Sequence, residues 1–380
     1  MHDRSPARSR LWMGRFLACF AISSLLWVGC SELADQPTAP TTSAPTIAGS
    51  DTDASLGKIQ QRIFEVMAVQ DRHTPQLMQI PDVVGTATGV DETGAVVVKV
   101  YTEREVPASR LPAQVDGVRV VQEVSGRFVA MKGGGGGVSH TARQTPPIQL
   151  GTSGGWRYDL ANGYCCGGTL GSLVSKGGAQ YILSNYHVLE ADIVNGGNSR
   201  TAQAGDPVIQ PGLIDVSCNA GNTQNVATLS GIKSLPGSNV DAAIAQVVSG
   251  MVRTDGAILE IGTISSSTVG ATLNQAVKKS GRTTGLTRST VSGLNANVNV
   301  AYENECAGGA AFTKSYTGQI IIGNKGSRFL AGGDSGSLMV EDVTTNPRAV
   351  GLLFAGSSSL AVANPIGQVL SFLNATMVGN

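Results

Sequence analysis

The sequence predicts a mainly β protein, with one large β domain over residues 148–380 and a small α+β domain before it. Within 148–380, short apolar runs at 169–174, 181–184, 226–230, 242–248, 291–300, 319–322, 337–340 and 349–354 are broken by Gly, Asn, Ser and Pro. Strands recurring at that spacing describe a barrel or a sandwich. Composition agrees: 14% of residues are charged and 49 are glycine, closer to exported β proteins than to cytosolic α/β enzymes. Helical spacing in this region is confined to 366–373.

The 380-residue chain opens on an export signal over 1–30. Arg4, Arg8, Arg10 and Arg15 precede an apolar run over 16–29 that is too short to span a bilayer comfortably. The run ends Leu26-Trp27-Val28-Gly29-Cys30, which resembles a bacterial lipobox and implies membrane attachment through a lipid on Cys30. Trp27 departs from the usual aliphatic residue there, and ordinary signal-peptidase cleavage is the alternative. A tract over 31–55 rich in Thr, Ser, Pro, Ala and Asp then serves as a disordered tether. Formal net charge is zero, which suggests neither nucleic-acid binding nor electrostatic membrane adhesion.

Residues 56–131 make the small α+β domain. Ile59, Ile63, Val66 and Met67 recur at helical spacing. Runs at 83–90 and 95–101 flank Asp91-Glu92-Thr93-Gly94, which is good hairpin chemistry, and a strand follows at 118–124. His73 reads as a surface residue rather than a ligand. Five glycines at 133–137 and a polar, proline-containing stretch form an interdomain linker over 132–147.

Of six cysteines, Cys19 falls in the leader and Cys30 is the lipidation candidate. Cys165, Cys166, Cys218 and Cys306 remain, an even number that favours two disulfides in an exported chain, with three pairings open. Cys165 and Cys166 are adjacent, so a bond between them forces a strained ring. No Cys-x-x-Cys spacing occurs, and neither a metal nor a cofactor is expected.

The stretch Gly332-Gly333-Asp334-Ser335-Gly336-Ser337 carries the candidate chemistry. A serine hydroxyl is a poor nucleophile alone; it needs a base, a group to orient the base, and donors for an oxyanion. The glycines let the chain turn sharply enough for the N–H groups of Gly333 and Ser335 to point at one small volume. Read alone, the stretch is equally a glycine-rich β-turn. The histidines are His2 in the leader, His73, His140 in the linker and His187, so only His187 lies inside the β domain, at the end of an apolar strand. Asp241 opens the otherwise apolar run Asn239-Val240-Asp241-Ala242-Ala243-Ile244, where a desolvated carboxylate must be paired. Asp159, Asp192, Asp206, Asp215, Asp255 and Asp342 lie in polar or turn contexts, and Asp334 is suited to holding the serine turn by hydrogen bonds.

The order His187, Asp241, Ser335, with Lys279-Ser280-Gly281-Arg282-Thr283-Thr284-Gly285 and Thr290-Val291-Ser292-Gly293-Leu294-Asn295-Ala296 between the last two, resembles the chymotrypsin-like (trypsin-like) serine peptidases. Within them it is most similar to the bacterial branch of the α-lytic protease and the streptogrisins. The resemblance implies two six-stranded antiparallel β-barrels, with His187 and Asp241 in the first and Ser335 in the second. It also implies an exported serine endopeptidase that acts on protein or peptide through an acyl-enzyme.

The departures shape what can be carried over. No cysteine neighbours His187, so the family's first-barrel disulfide does not transfer, and Cys166 with Cys218 is the expected replacement. Ser337 stands where many members have glycine. No Ile-Val-Gly-Gly start is present, which argues against activation by a new N-terminus; residues 56–131 occupy the place of a folding pro-region, or are a permanent accessory domain. Phe329, Phe354 and Gly356 are expected to line the substrate pocket without a charged residue, which favours a neutral P1 side chain. The competing function is a catalytically silent binding module on the cell surface that retains the peptidase fold. A β-rich adhesin does not require these three residues in this order.

Overall fold

The computed structural model describes residues 52–130, 138–161, 164–190, 200–302 and 311–380. The expected signal, Cys30, nearly all of the tether, the five-glycine run and Cys306 lie outside them. Described residues belong to one compact unit, Asp51–Asn380.

The chain begins with helix α1 (Thr52–Leu77) and the hairpin β1 (Val83–Val90) and β2 (Val96–Thr102). Asp91 makes the turn: its Oδ1 accepts from the N–H of Thr93 at 2.9 Å and of Ala95 at 3.1 Å, and Gly94 takes a φ of 82°. Helix α1 buries Val66, Val69 and Leu77 with Val83, Val98 and Val100 of the hairpin. Ile59 stays 54% exposed, so the buried stripe starts nearly two turns later than the apolar spacing suggested. Gln70 is fully buried because its side chain is saturated, donating to Asn295 O at 2.8 Å and accepting from Thr88 Oγ1 at 2.9 Å. Strands β3 (Val118–Val124) and β4 (Phe128–Ala130) complete this segment.

Next come β5 (Thr152–Trp156), β6 (Gly168–Leu170), β7 (Ser172–Lys176), β8 (Ala179–Ser184), the helical turn α2 (Tyr186–Leu189), β9 (Pro207–Gln210), β10 (Gln224–Leu229) and β11 (Ala243–Val247). They form an eight-stranded sheet in the order Thr376–Met377, β7, β8, β11, β10, β9, β5, β6. His187 therefore sits in a helical turn just beyond a strand, and not at the strand end expected from its apolar run. Asn185 makes the break, extended at φ −77° and ψ 155°.

The remaining strands are β12 (Ala276–Gly281), β13 (Gly285–Tyr302), β14 (Phe312–Gly323), β15 (Leu338–Glu341), β16 (Ala349–Gly356) and β17 (Leu360–Pro365), followed by helix α3 (Ile366–Leu373). Strand β12 pairs with both β15 and β13, so these six close on one another. Strands β1, β2, β3 and the two-residue strand Gln114–Val115 extend the same sheet from β13, and β4 pairs with both β13 and β16, giving eleven strands in all. The segment expected as a small domain thus shares its sheet with the rest of the unit. Strand β16 is buried along all eight residues, as its unbroken apolar run requires. Helix α3 packs Ile366, Val369 and Leu373, spaced as one helical face, beside Val174, Ile244 and Leu352. The mainly β class is observed.

Cys165 pairs with Cys218 across a Cα–Cα distance of 5.5 Å, and Cys166 is also disulfide-bonded. The expected Cys166–Cys218 pairing is corrected: neighbouring residues in an extended chain face opposite ways, and it is Cys165 that faces Cys218. Among the described residues no helix is long and apolar enough to cross a membrane.

Candidate active site

Asp241 lies fully buried just before β11, and its carboxylate is the most heavily bonded group near α2. Oδ1 accepts from the backbone N–H groups of Tyr186 at 2.8 Å and His187 at 3.2 Å. These are unpaired donors at the start of a helical turn, which attract an anionic acceptor. Oδ2 accepts from His187 Nδ1 at 2.6 Å and from the Tyr302 hydroxyl at 2.8 Å. The backbone is pinned too: Asp241 N–H donates to Asn364 Oδ1 at 2.9 Å, and Asn185 Nδ2 donates to Asp241 O at 2.7 Å.

An ionised carboxylate only accepts, so the His187 proton sits on Nδ1 and Nε2 presents a lone pair. That Nε2 is buried and has no hydrogen-bond partner among the described residues. The Tyr302 ring lies edge-on to the imidazole, with centroids 5.8 Å apart at 68°.

Ser335 sits in the turn between two glycines that only glycine can supply. Gly333 has φ 94° and Gly336 φ 92°, and a Cβ on Gly336 falls 2.1 Å from Ser184 Oγ and 2.3 Å from Thr169 O. The turn docks on β6, where Thr169 N–H donates to Ser335 O at 2.8 Å and Thr169 Oγ1 donates to Gly333 O at 2.9 Å. Neither the Gly333 nor the Ser335 N–H is used in a hydrogen bond among the described residues. The Ser335 hydroxyl donates to Phe354 O at 3.3 Å. The fold therefore joins His187 to Asp241 directly and sets Ser335 against the strand that leads, through β7 and β8, to α2; it does not hydrogen-bond Ser335 to His187.

Asp334 anchors the turn. Its Oδ1 accepts from the N–H groups of Thr283 at 2.9 Å and Thr284 at 3.1 Å, and its Oδ2 from Ala331 N–H at 3.0 Å and Thr284 Oγ1 at 2.7 Å. Lys279 adds a counter-ion at 3.2 Å and also donates to Thr284 Oγ1 and to Gly285 O. Burial pushes the Lys279 ammonium below its ordinary value, and the Asp334 charge opposes that shift.

The edge of β16 beside Ser335 is paired by an earlier part of the chain. Strand β4 pairs antiparallel with β16, Ala130 opposite Ala355 and Val129 opposite Gly356, directly after the Phe354 carbonyl that holds Ser335. On its other side β4 runs parallel to β13, Phe128 opposite Val300. Ser335, His187 and Asp241 are each at most 1% exposed.

Of the three expected pocket residues, only Phe329 lines the cavity described among these residues. Phe354 is fully buried against Tyr316, and Gly356 faces Val129. Phe329 borders a cavity of about 310 Å³ whose lining also includes Arg288, Lys325, Arg328 and Glu123 and none of His187, Asp241 and Ser335. Sequence reasoning also missed Tyr302 and Lys279, although Lys279 opens the quoted Lys279–Gly285 motif.

A family model described as the Nal1 C-terminal domain matches residues 238–364. That span includes Asp241 and Ser335 but not His187. No curated protein matches the chain. Among solved structures, a serine protease described as specific for glutamic acid, with a histidine triad in substrate binding, is 22% identical with a TM-score of 0.40, covering 60% of this chain and 100% of that one. Protease A of Thermobifida fusca is 19% identical with a TM-score of 0.39, over 61% and 99% of the two chains. A Cellulomonas bogoriensis chymotrypsin is 19% identical with a TM-score of 0.37, over 61% and 99%. The chain is similar to bacterial chymotrypsin-like serine proteases at low identity.

Proposed function

We propose that this chain is an exported serine endopeptidase with Ser335 as nucleophile, His187 as general base and acid, and Asp241 as the group that orients His187. The observation that carries the reading is the 2.6 Å bond from His187 Nδ1 to Asp241 Oδ2, which leaves Nε2 basic and otherwise unpartnered. In this reading the Ser335 hydroxyl swings from Phe354 O to Nε2. As Oγ bonds to the substrate carbonyl carbon, its proton passes to Nε2, and the N–H groups of Gly333 and Ser335 receive the oxyanion. The C–N bond then breaks as Nε2 protonates the leaving amine. Water then adds to the acyl carbon, losing a proton to the same nitrogen; the C–Oγ bond breaks as that nitrogen returns the proton to Ser335 Oγ, and the acyl group leaves as a carboxylic acid.

The finer fold reading goes with it. Strands β12 to β17 are the second six-stranded barrel, and β5 to β11 are the first when β6 and β7 count as one strand bent at Gly171. The arginine-rich leader and the Cys165–Cys218 disulfide support export, with Cys30 as the lipidation site. Pairing of β4 with β16 supports residues 56–131 as a pro-region whose removal opens the cleft, rather than a permanent accessory domain.

A second reading, a silent binding module, is favoured by the Ser335 hydroxyl bonding to Phe354 O instead of His187. A fluorophosphonate probe separates the two. Labelling of the wild-type protein, whole or cut after β4, that disappears in Ser335→Ala establishes the nucleophile; no labelling in either form leaves the binding module. Intact mass of the labelled species reports both a lipid on Cys30 and a cut near 131–147, and a single uncut chain in an active preparation sinks the pro-region.

A further inference from the structure

Tyr302 is the last residue of β13, 4% exposed, with its ring stacked on Phe312 at a centroid distance of 4.9 Å and an interplanar angle of 8°. Its hydroxyl lies 2.8 Å from Asp241 Oδ2 and 2.5 Å from the Tyr316 hydroxyl. Each phenol has one proton, and a carboxylate can only accept. The proton of Tyr302 therefore points at Asp241, and the proton of Tyr316 must point at Tyr302. This is a directed relay, Tyr316 to Tyr302 to Asp241, in which every donor has an acceptor.

We propose that Tyr302 is a positioning residue: its hydroxyl, itself held by Tyr316, fixes Asp241 Oδ2 where it receives the Nδ1 proton of His187. The proposal rests on the reading of His187, Asp241 and Ser335 as a triad. Asp241 has two oxygens and no freedom left in either. The backbone donors of α2 hold Oδ1, while Oδ2 faces a side-chain donor on each side. Without Tyr302, the carboxylate is held at Oδ2 by the imidazole alone, whose orientation it is supposed to define.

Burial, then the Asp241 charge and Tyr316, push the Tyr302 phenol well above its ordinary value, and burial foremost raises Tyr316. Both hydroxyls stay protonated and remain donors through the whole range in which imidazole titrates. The titratable groups around the network are His187, Tyr186 and Glu190 from the α2 side, and Tyr316 and Lys314 on β14, with Lys314 Nζ 5.1 Å above the Tyr316 ring.

The test is Tyr302→Phe in the full chain, which keeps the ring and its stacking and removes one donor. A hydrogen bond to a charged group sets the scale, so kcat/KM should fall roughly ten- to a hundredfold. With one donor fewer, Asp241 carries more charge toward the imidazolium, so the acid limb of the pH–rate profile should move to higher pH. The low-field proton resonance of His187 Nδ1–H should shift with it. Tyr316→Phe, which leaves the bond to Asp241, should move both readouts the same way by less.

A Tyr302→Phe enzyme with wild-type kcat/KM, or one that is slower with limb and resonance unmoved, overturns the proposal and leaves Tyr302 as packing. If Tyr302→Phe does not fold, an unmoved resonance in Tyr316→Phe has the same force. If wild-type protein never labels with fluorophosphonate, the triad reading fails; the resonance still reports separately whether Tyr302 holds Asp241.

Discussion

Lys279 Nζ and Asp334 Oδ2 form an ion pair at 3.2 Å in which both side chains are wholly buried. The pair lies one residue before Ser335 and joins the end of β12 to the serine turn. Such a pair adds little net stability over an apolar one of similar shape, but removing one partner strands the other charge, at a cost of about 3–5 kcal/mol.

Lys279→Met should therefore destabilise the protein by about 3 kcal/mol. The lower end applies because Asp334 keeps four other donors. Urea midpoints measure this. Adding Asp334→Asn should recover part of the loss, since the stranded charge is then gone; a double variant no better than Lys279→Met would show that the pair acts through packing instead.

How far the site was legible in the sequence follows from how local each signal is. His187 and Asp241 stood out by elimination and by apolar neighbours, and Ser335 by its glycines. Lys279 left a weaker trace: Lys278 and Lys279 are adjacent, and a strand of period two cannot put both on one solvent face. Lys278 instead reaches Val343 O at 2.7 Å, while Lys279 turns inward. Tyr302 left none, because Val300-Ala301-Tyr302 reads like any apolar strand end, and its partner Asp241 is 61 residues away. The β4–β16 pairing is likewise a long-range event with no local mark. The β1–β2 hairpin and α3 were legible because turn chemistry and helical spacing are local.

Val129→Pro tests whether β4 blocks the cleft. Proline has no N–H and resists the interior of a ladder, so it should loosen β4 from β16 opposite Gly356. The expected outcome is faster fluorophosphonate labelling of Ser335 in the uncut chain, together with some loss of stability. Unchanged or slower labelling in a folded variant would mean that β4 supports the site and does not occlude it.

Glu190 closes the α2 turn three residues after His187, fully buried. Burial pushes its carboxyl from an ordinary 4.5 up to about 8, with the Lys233 charge opposing. The unfolded chain releases this proton near 4.5 while the folded one keeps it to about 8, so between those values the folded state binds more protons. Stability contributed by Glu190 is thus complete below pH 4.5 and is lost as pH rises toward 8. Glu190→Gln keeps the shape without the titration. Its stability should exceed that of wild type by a margin that grows across this window and then levels off. Denaturation midpoints at both ends decide: a constant margin would mean that Glu190 is ionised in the fold, with a counter-charge holding it there.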